Sequence, residues 1–282
     1  MAELRITEYT DPGCPWGFSA EPARRRLMWL YGEQIAWDLR MVGLATTGEE
    51  FEARGFTPQE QSRAFSRIAS EHGMPIDDAL RPRMAGTAFA CRTVVAVRLH
   101  DPANAREVSR RISMRHFAGR LIDEPQTIMD AVVDAGLDPG QVAGWTAEEP
   151  VGEALAADMV AARTPSPAAL AQPERLADWE GGRRYTCPAY EIERLSDGAT
   201  MSVPGFQPVR SYEMAIANLA PHLTRAADPE DPAAVLARFP GPLATIEVAG
   251  AMGLSRAEVR SGLERSGASF DPVGFDGYWS LG

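Results

Sequence analysis

The junction Thr10-Asp11-Pro12-Gly13-Cys14-Pro15-Trp16-Gly17 constrains this chain more than any other segment. Before it, Leu4 to Thr10 reads as a short buried strand, and Asp11-Pro12-Gly13 breaks that strand. Cys14-Pro15 then opens a helical pattern lasting to about Tyr31, with Pro15 suited to a first turn, where its missing N–H costs nothing. Ile35 to Leu44 alternates again as a second strand, so the opening predicts a parallel βαβ unit. A thiol placed at a helix start faces unbonded amide groups and the positive end of the helix dipole, and both favour the thiolate. Cys14 is therefore the candidate nucleophile, against the competing reading of a small buried residue.

From about Gly48 to Asp178 the pattern is helical, with helices expected near Pro58 to His72, Gly86 to His100, Ala103 to Phe117, Glu124 to Ala135 and Gly152 to Ala162. Arg163 to Pro173, with three prolines, reads as a loop. Cys187-Pro188 then starts a strand, Ser196-Asp197-Gly198 turns, Thr200 to Val203 returns, and Pro208 to Leu219 forms a helix. The stretch RAADPEDP reads as a linker to a last unit of three short helices and an aromatic hairpin from Phe270 to Trp279, with Ser255 and Glu258 forming a capping box. Three helices followed by a hairpin resemble a winged helix, but eight acids against four arginines from Asp228 onward favour contact with protein over DNA.

The junction resembles the active-site segment of DsbA-family thioredoxin-fold proteins. The resemblance implies an α/β, thioredoxin-like fold in residues 1–47 and 183–222, a large helical insertion in 48–182, and the winged-helix-like module in 228–282. The family's redox members carry Cys-x-x-Cys, whereas Gly17 stands here in place of the second cysteine, which leaves monothiol chemistry at Cys14. The resemblance further implies that Pro188 is the family's cis-proline at the substrate-docking loop, and that Cys187 faces the active-site helix as a second thiol or as filler. It implies that Pro15, Trp16, Gly17, Phe18 and Cys187 line a groove for a substrate or client. Glu8, six residues before Cys14, matches the family's buried acid, and burial would raise its pKa. Ser19 is expected on a solvated helix face, and Cys91 in the core.

The layout as a whole looks like the YjbH/SpxH-type branch of that family, which implies an adaptor that presents a client to a ClpXP-type protease. Three readings stay open: a monothiol thiol–disulfide oxidoreductase or thiol transferase with Cys14, Glu8 and Pro188 at its centre, a non-catalytic adaptor, and a kappa-type glutathione transferase or isomerase. No tightly bound cofactor is expected, and a low-molecular-weight thiol is the expected co-substrate.

Composition narrows the partners. Acids outnumber basic residues 39 to 28, and a net charge of −11 repels nucleic-acid phosphates. No apolar run reaches the length of a membrane span, and MAELRITEYT lacks the pattern of a secretion signal, so a cytoplasmic protein is expected. An odd count of three cysteines argues against a disulfide framework. His72, His100, His116 and His222 lie without ligand spacing, are expected on helix surfaces, and predict no metal site.

Overall fold

The computed structural model describes residues 2–282. β1 (Leu4–Thr10) and β2 (Ile35–Met41) pair in parallel, with Leu4 opposite Ile35 and Thr10 opposite Met41. The single helix expected between them is in fact two, α1 (Pro15–Ser19) and α2 (Glu21–Tyr31), parted at Ala20. Pro22 is the cause. It has no N–H for the Phe18 carbonyl, and its ring would crowd the preceding turn of a continuous helix.

The middle of the chain carries α3 (Gly48–Ala53), α4 (Pro58–His72), α5 (Ala88–His100), α6 (Ala105–Phe117), α7 (Pro125–Asp134), α8 (Pro139–Ala147), α9 (Glu149–Ala162) and α10 (Pro167–Leu170). α4 shows why such boundaries can be read from residue types: Thr57 and Glu60 form a capping box, Pro58 occupies the first turn, and Gly73 ends the helix at φ 77°. The segment expected as a loop before Pro173 holds α10, capped by the Ser166 hydroxyl, which accepts from the Ala169 amide. A hairpin of β3 (Leu176–Trp179) and β4 (Gly182–Tyr185) then replaces the helical pattern expected to reach Asp178. Its turn needs Gly182 at φ 123°, a conformation that side chains disfavour.

β5 (Ala189–Arg194) and β6 (Thr200–Pro204) complete a four-stranded sheet in the order β2-β1-β5-β6, with β5 antiparallel to both neighbours. α11 (Val209–Leu219) and α2 cover one face, burying Leu4, Ile6, Leu27, Leu30, Ile192 and Ile216 together. A second core, around Val94, Val97, Ile112, Ile128 and Val132, joins the helices α5 to α9.

The last unit contains α12 (Pro232–Arg238), β7 (Leu243–Ala244), α13 (Thr245–Met252), α14 (Arg256–Ser266), β8 (Ser269–Val273) and β9 (Asp276–Ser280). Its sheet runs β7-β9-β8, and Ser255 and Glu258 form a capping box at the start of α14. This unit is packed directly onto α2. A Cβ on Gly250 of α13 would stand 2.8 Å from the Pro22 carbonyl oxygen, so the two helices meet backbone to backbone.

Candidate active site around Cys14

The strand-to-helix turn is built on Asp11. One carboxylate oxygen accepts from the Gly13 amide at 2.9 Å, and the other accepts from the Leu44 amide at 2.9 Å, the Thr87 hydroxyl at 2.8 Å and the Cys91 thiol at 3.3 Å. Burial pushes this carboxyl above its ordinary range, and the four donors pull the other way. In the sequence Asp11 shows only as part of the break after β1. Its position at the centre of β1, α5 and the segment after β2 follows from contacts with residues 33, 76 and 80 positions away.

Cys14 caps α1, its amide donating to the Asp11 carbonyl at 2.9 Å and its carbonyl accepting from Phe18 at 3.0 Å. Its side chain is 8% exposed, and its thiol donates to the Cys187 carbonyl at 3.5 Å. Hydrogen bonding to the Cys187 side chain lowers the Cys14 pKa most, and the amides of Gly17 and Trp16 add to it. Burial and the nearby Asp11 oppose the shift without cancelling it.

Cys187 stands immediately before β5, and its bond to Pro188 is cis. It is 6% exposed and shares an apolar cluster with Cys14, Val42 and Ala162. Burial pushes its thiol well above the ordinary range, and Cys14 pushes it further. All three cysteines are free thiols. Cys91 lies in the core, raised by burial and by Asp11.

Gly17 is packed tightly. A Cβ at this position would lie 2.6 Å from Oγ1 of Thr10. The first atom of any second motif side chain would therefore collide with the last residue of β1.

Glu8 departs from its expected part. It is 0% exposed, and it accepts from Arg24 Nε at 3.0 Å, from a second, shorter Arg24 contact, and from Arg106 at 2.6 Å. Burial pushes its carboxyl up, but Arg24 and Arg106 overcome that effect and hold it below the ordinary range. Held by two guanidinium groups, the Glu8 carboxylate is kept ionised and anchors an ion network, which makes it a weaker base than burial alone would.

The expected groove residues divide. Phe18 turns inward and stacks on Phe117 at 4.7 Å between centroids, so it forms no rim. Trp16 stays half-buried beside His72, at 5.0 Å, and Phe206, at 5.4 Å. Next to this aromatic edge lies a groove of about 470 Å³, lined by Ser19, Pro22, Arg26, His72, Phe206 and, from α13, Ile246. Ser19 is 4% exposed instead of solvated, and its hydroxyl has no hydrogen-bond partner among the described residues. Two histidines expected on helix surfaces are also drawn inward. His72 is half-buried, and burial depresses its pKa. His116 is buried, and burial lowers its pKa to about 4.

Among the described residues there is no cluster of histidine, cysteine and carboxylate side chains that could hold a metal ion, and no helix is long and apolar enough to cross a membrane. No protein-family model and no curated protein matches the chain. Solved structures do. A putative protein disulfide isomerase from Nitrosomonas europaea superposes with a TM-score of 0.59 at 16% identity, covering 78% of this chain and 99% of that one. A probable DsbA oxidoreductase from Streptomyces coelicolor gives 0.56 at 15% identity, covering 81% and 94%. The cytosolic disulfide reductase DsbM from Pseudomonas aeruginosa gives 0.55 at 22% identity, covering 77% and 100%. This is the DsbA-like thioredoxin fold. About a fifth of the chain lies outside each of these matches, which take in nearly the whole of the other proteins. Within the DsbA-like fold, Cys14 occupies the helix start where the sequence resemblance put the nucleophile, and Cys187-Pro188 the loop that faces it.

Proposed function

We propose that this protein is a thiol–disulfide oxidoreductase that works through one motif cysteine, Cys14, with a low-molecular-weight thiol as co-substrate. The observation that carries the reading is the position of Cys14, the N-cap residue of α1, whose thiol lies against the Cys187-Pro188 loop and is shifted toward its thiolate by Cys187 and by the α1 amides. The thiolate attacks a sulfur of the substrate disulfide, a mixed disulfide forms on Cys14, and the other sulfur leaves as a thiolate that takes up a proton. A second small thiol then attacks the mixed disulfide and restores Cys14.

The substrate class is a disulfide or a mixed disulfide of a protein with a small thiol. DsbM, which shares the fold at 20% identity and a TM-score of 0.53, has been solved with GSH, and this supports a glutathione-type co-substrate here. The groove beyond Trp16, mainly apolar with the Ser19 hydroxyl unpaired among the described residues, suits the apolar part of a peptide substrate. The reading includes a cytoplasmic location, where small thiols are abundant and structural disulfides are rare.

The test is release of glutathione from a glutathionylated peptide, followed alongside the pH dependence of Cys14 alkylation. Turnover that disappears in Cys14→Ser, with an alkylation midpoint below the ordinary ~8.5 of a free cysteine, is the expected result. A Cys14 that alkylates like a free thiol and releases nothing would overturn the reading and leave a non-catalytic client-binding role.

A further inference from the structure

We infer that Cys187 is the second thiol of this site, closing a disulfide with Cys14 across the fold and so replacing the resolving cysteine that Gly17 removes from the motif. The inference deepens the function proposed above and rests on it. Two observations bring the two residues together. The Cys14 sulfur lies 3.5 Å from the Cys187 carbonyl oxygen, and both residues are buried in one small apolar cluster with Val42 and Ala162. Cys91, the remaining thiol, is turned to Asp11 and occupies a different cluster. Gly17 is packed against Thr10, so a second thiol within the motif would first have to displace that side chain, whereas Cys187 already lies beside Cys14.

The sequence of bonds is balanced. Thiolate attack by Cys14 on a disulfide R–S–S–R′ forms Cys14–S–S–R and releases R′–S⁻. The Cys187 sulfur then attacks the Cys14 sulfur, the S–R bond breaks, and the departing R–S⁻ takes the Cys187 proton. The net result is reduction of one substrate disulfide to two thiols and oxidation of Cys14 and Cys187 to one disulfide. Two molecules of the small thiol later reduce that disulfide and leave as their own disulfide. Formation of the mixed disulfide also removes the Cys14 charge, one of the causes that keep the Cys187 proton in place. Both thiols are nearly closed to water, so the neighbour inside the cluster has an advantage of position over a thiol arriving from solution.

The experiment uses the full chain. Wild type, Cys187→Ala and Cys91→Ala are treated in one arm with a small excess of oxidised glutathione, and in a second arm with diamide, which takes up two hydrogens as it couples two thiols. Intact mass and peptide mapping are read over time. Wild type and Cys91→Ala are expected to pass through a Cys14–glutathione adduct to a protein lighter by two hydrogens with linked Cys14 and Cys187 peptides. Cys187→Ala is expected to hold the adduct at least about tenfold longer. Adducts of equal lifetime in wild type and Cys187→Ala, without the link, overturn the inference and leave the proposed function standing. A diamide link without any glutathione adduct sustains the pair and defeats the exchange reading. Absence of both adduct and link overturns the two together.

Discussion

Cys14 and Glu8 lie six residues apart, both almost wholly withdrawn from water, yet their surroundings are opposite in kind. Around Glu8 every charge meets its opposite. Arg24 bridges Glu8 and Glu21, Arg106 pairs with Glu8, and Arg25 lies 3.7 Å from Glu21 and 3.2 Å from Glu247. Arg110 pairs with Glu247 in turn, so the network runs from β1 through α2 and α6 to α13 in the last unit. Around Cys14 the wall is apolar, the thiol has one hydrogen-bond partner, the Cys187 carbonyl, and Asp11 works against its ionisation. Burial alone therefore does not decide what a polar group does. A buried group whose partners complete its bonding is structural, while one left short of partners remains available for chemistry.

The comparison can be broken first at its chemical end. Cys14→Ser should reduce disulfide exchange to the uncatalysed rate while leaving the urea midpoint nearly unchanged, and retained turnover would move the chemistry elsewhere. At the charged end, Glu247→Ala leaves Arg25 and Arg110 buried without their shared carboxylate and should cost about 3–5 kcal/mol in denaturant unfolding. A loss below ~1 kcal/mol would mean that the network behaves as surface pairs do.

His116 is the intermediate case, buried with one partner, the Arg120 carbonyl. Its pKa is lowered from 6.5 to about 4, so the unfolded chain binds the proton first as pH falls. Stability should be complete above pH ~6.5 and fall by about 3 kcal/mol on acidification to pH ~4, and His116→Gln should flatten that slope in unfolding curves. Gly17→Cys, which restores a second motif thiol, should cost about 1–3 kcal/mol because its Cβ meets Thr10, as measured by thermal or urea unfolding. The smallest effect is expected from Asp11→Asn. Removing its charge should move the Cys14 alkylation midpoint to lower pH, and an unmoved midpoint would show that Asp11 acts on the turn alone.

Local patterns were readable where one stretch of chain decides its own conformation. Strand β1, the Asp-Pro-Gly break, helix α4 with its capping box and the β5–β6 hairpin all follow from residues next to each other. What escaped depends on residues far apart. Glu8 looked like a carboxyl raised by burial, because nothing near it announces that Arg24 and Arg106, 16 and 98 positions on, converge on it. Trp16 and Phe18 are equivalent aromatics in the sequence, and only the position of Phe117 draws one inward. Ser19 read as solvated because α13, more than two hundred residues later, supplies the wall that helps cover its helix. Cys14 is legible in part for the opposite reason, since the Gly17 and Trp16 amides of its own first turn act on the thiol, while the larger effect comes from Cys187, 173 positions away.

The contact between Gly17 and Thr10 has a consequence on the timescale of descent. A second cysteine in the motif comes at a cost in stability here, because the new Cβ arrives 2.6 Å from the Thr10 oxygen and that side chain must shift. A smaller residue at Thr10, at the end of the strand that carries the site, would lower that cost. The single-cysteine motif is thus favoured by the packing of its own strand end, while on the β5 side Cys187 already stands beside Cys14 at no such cost.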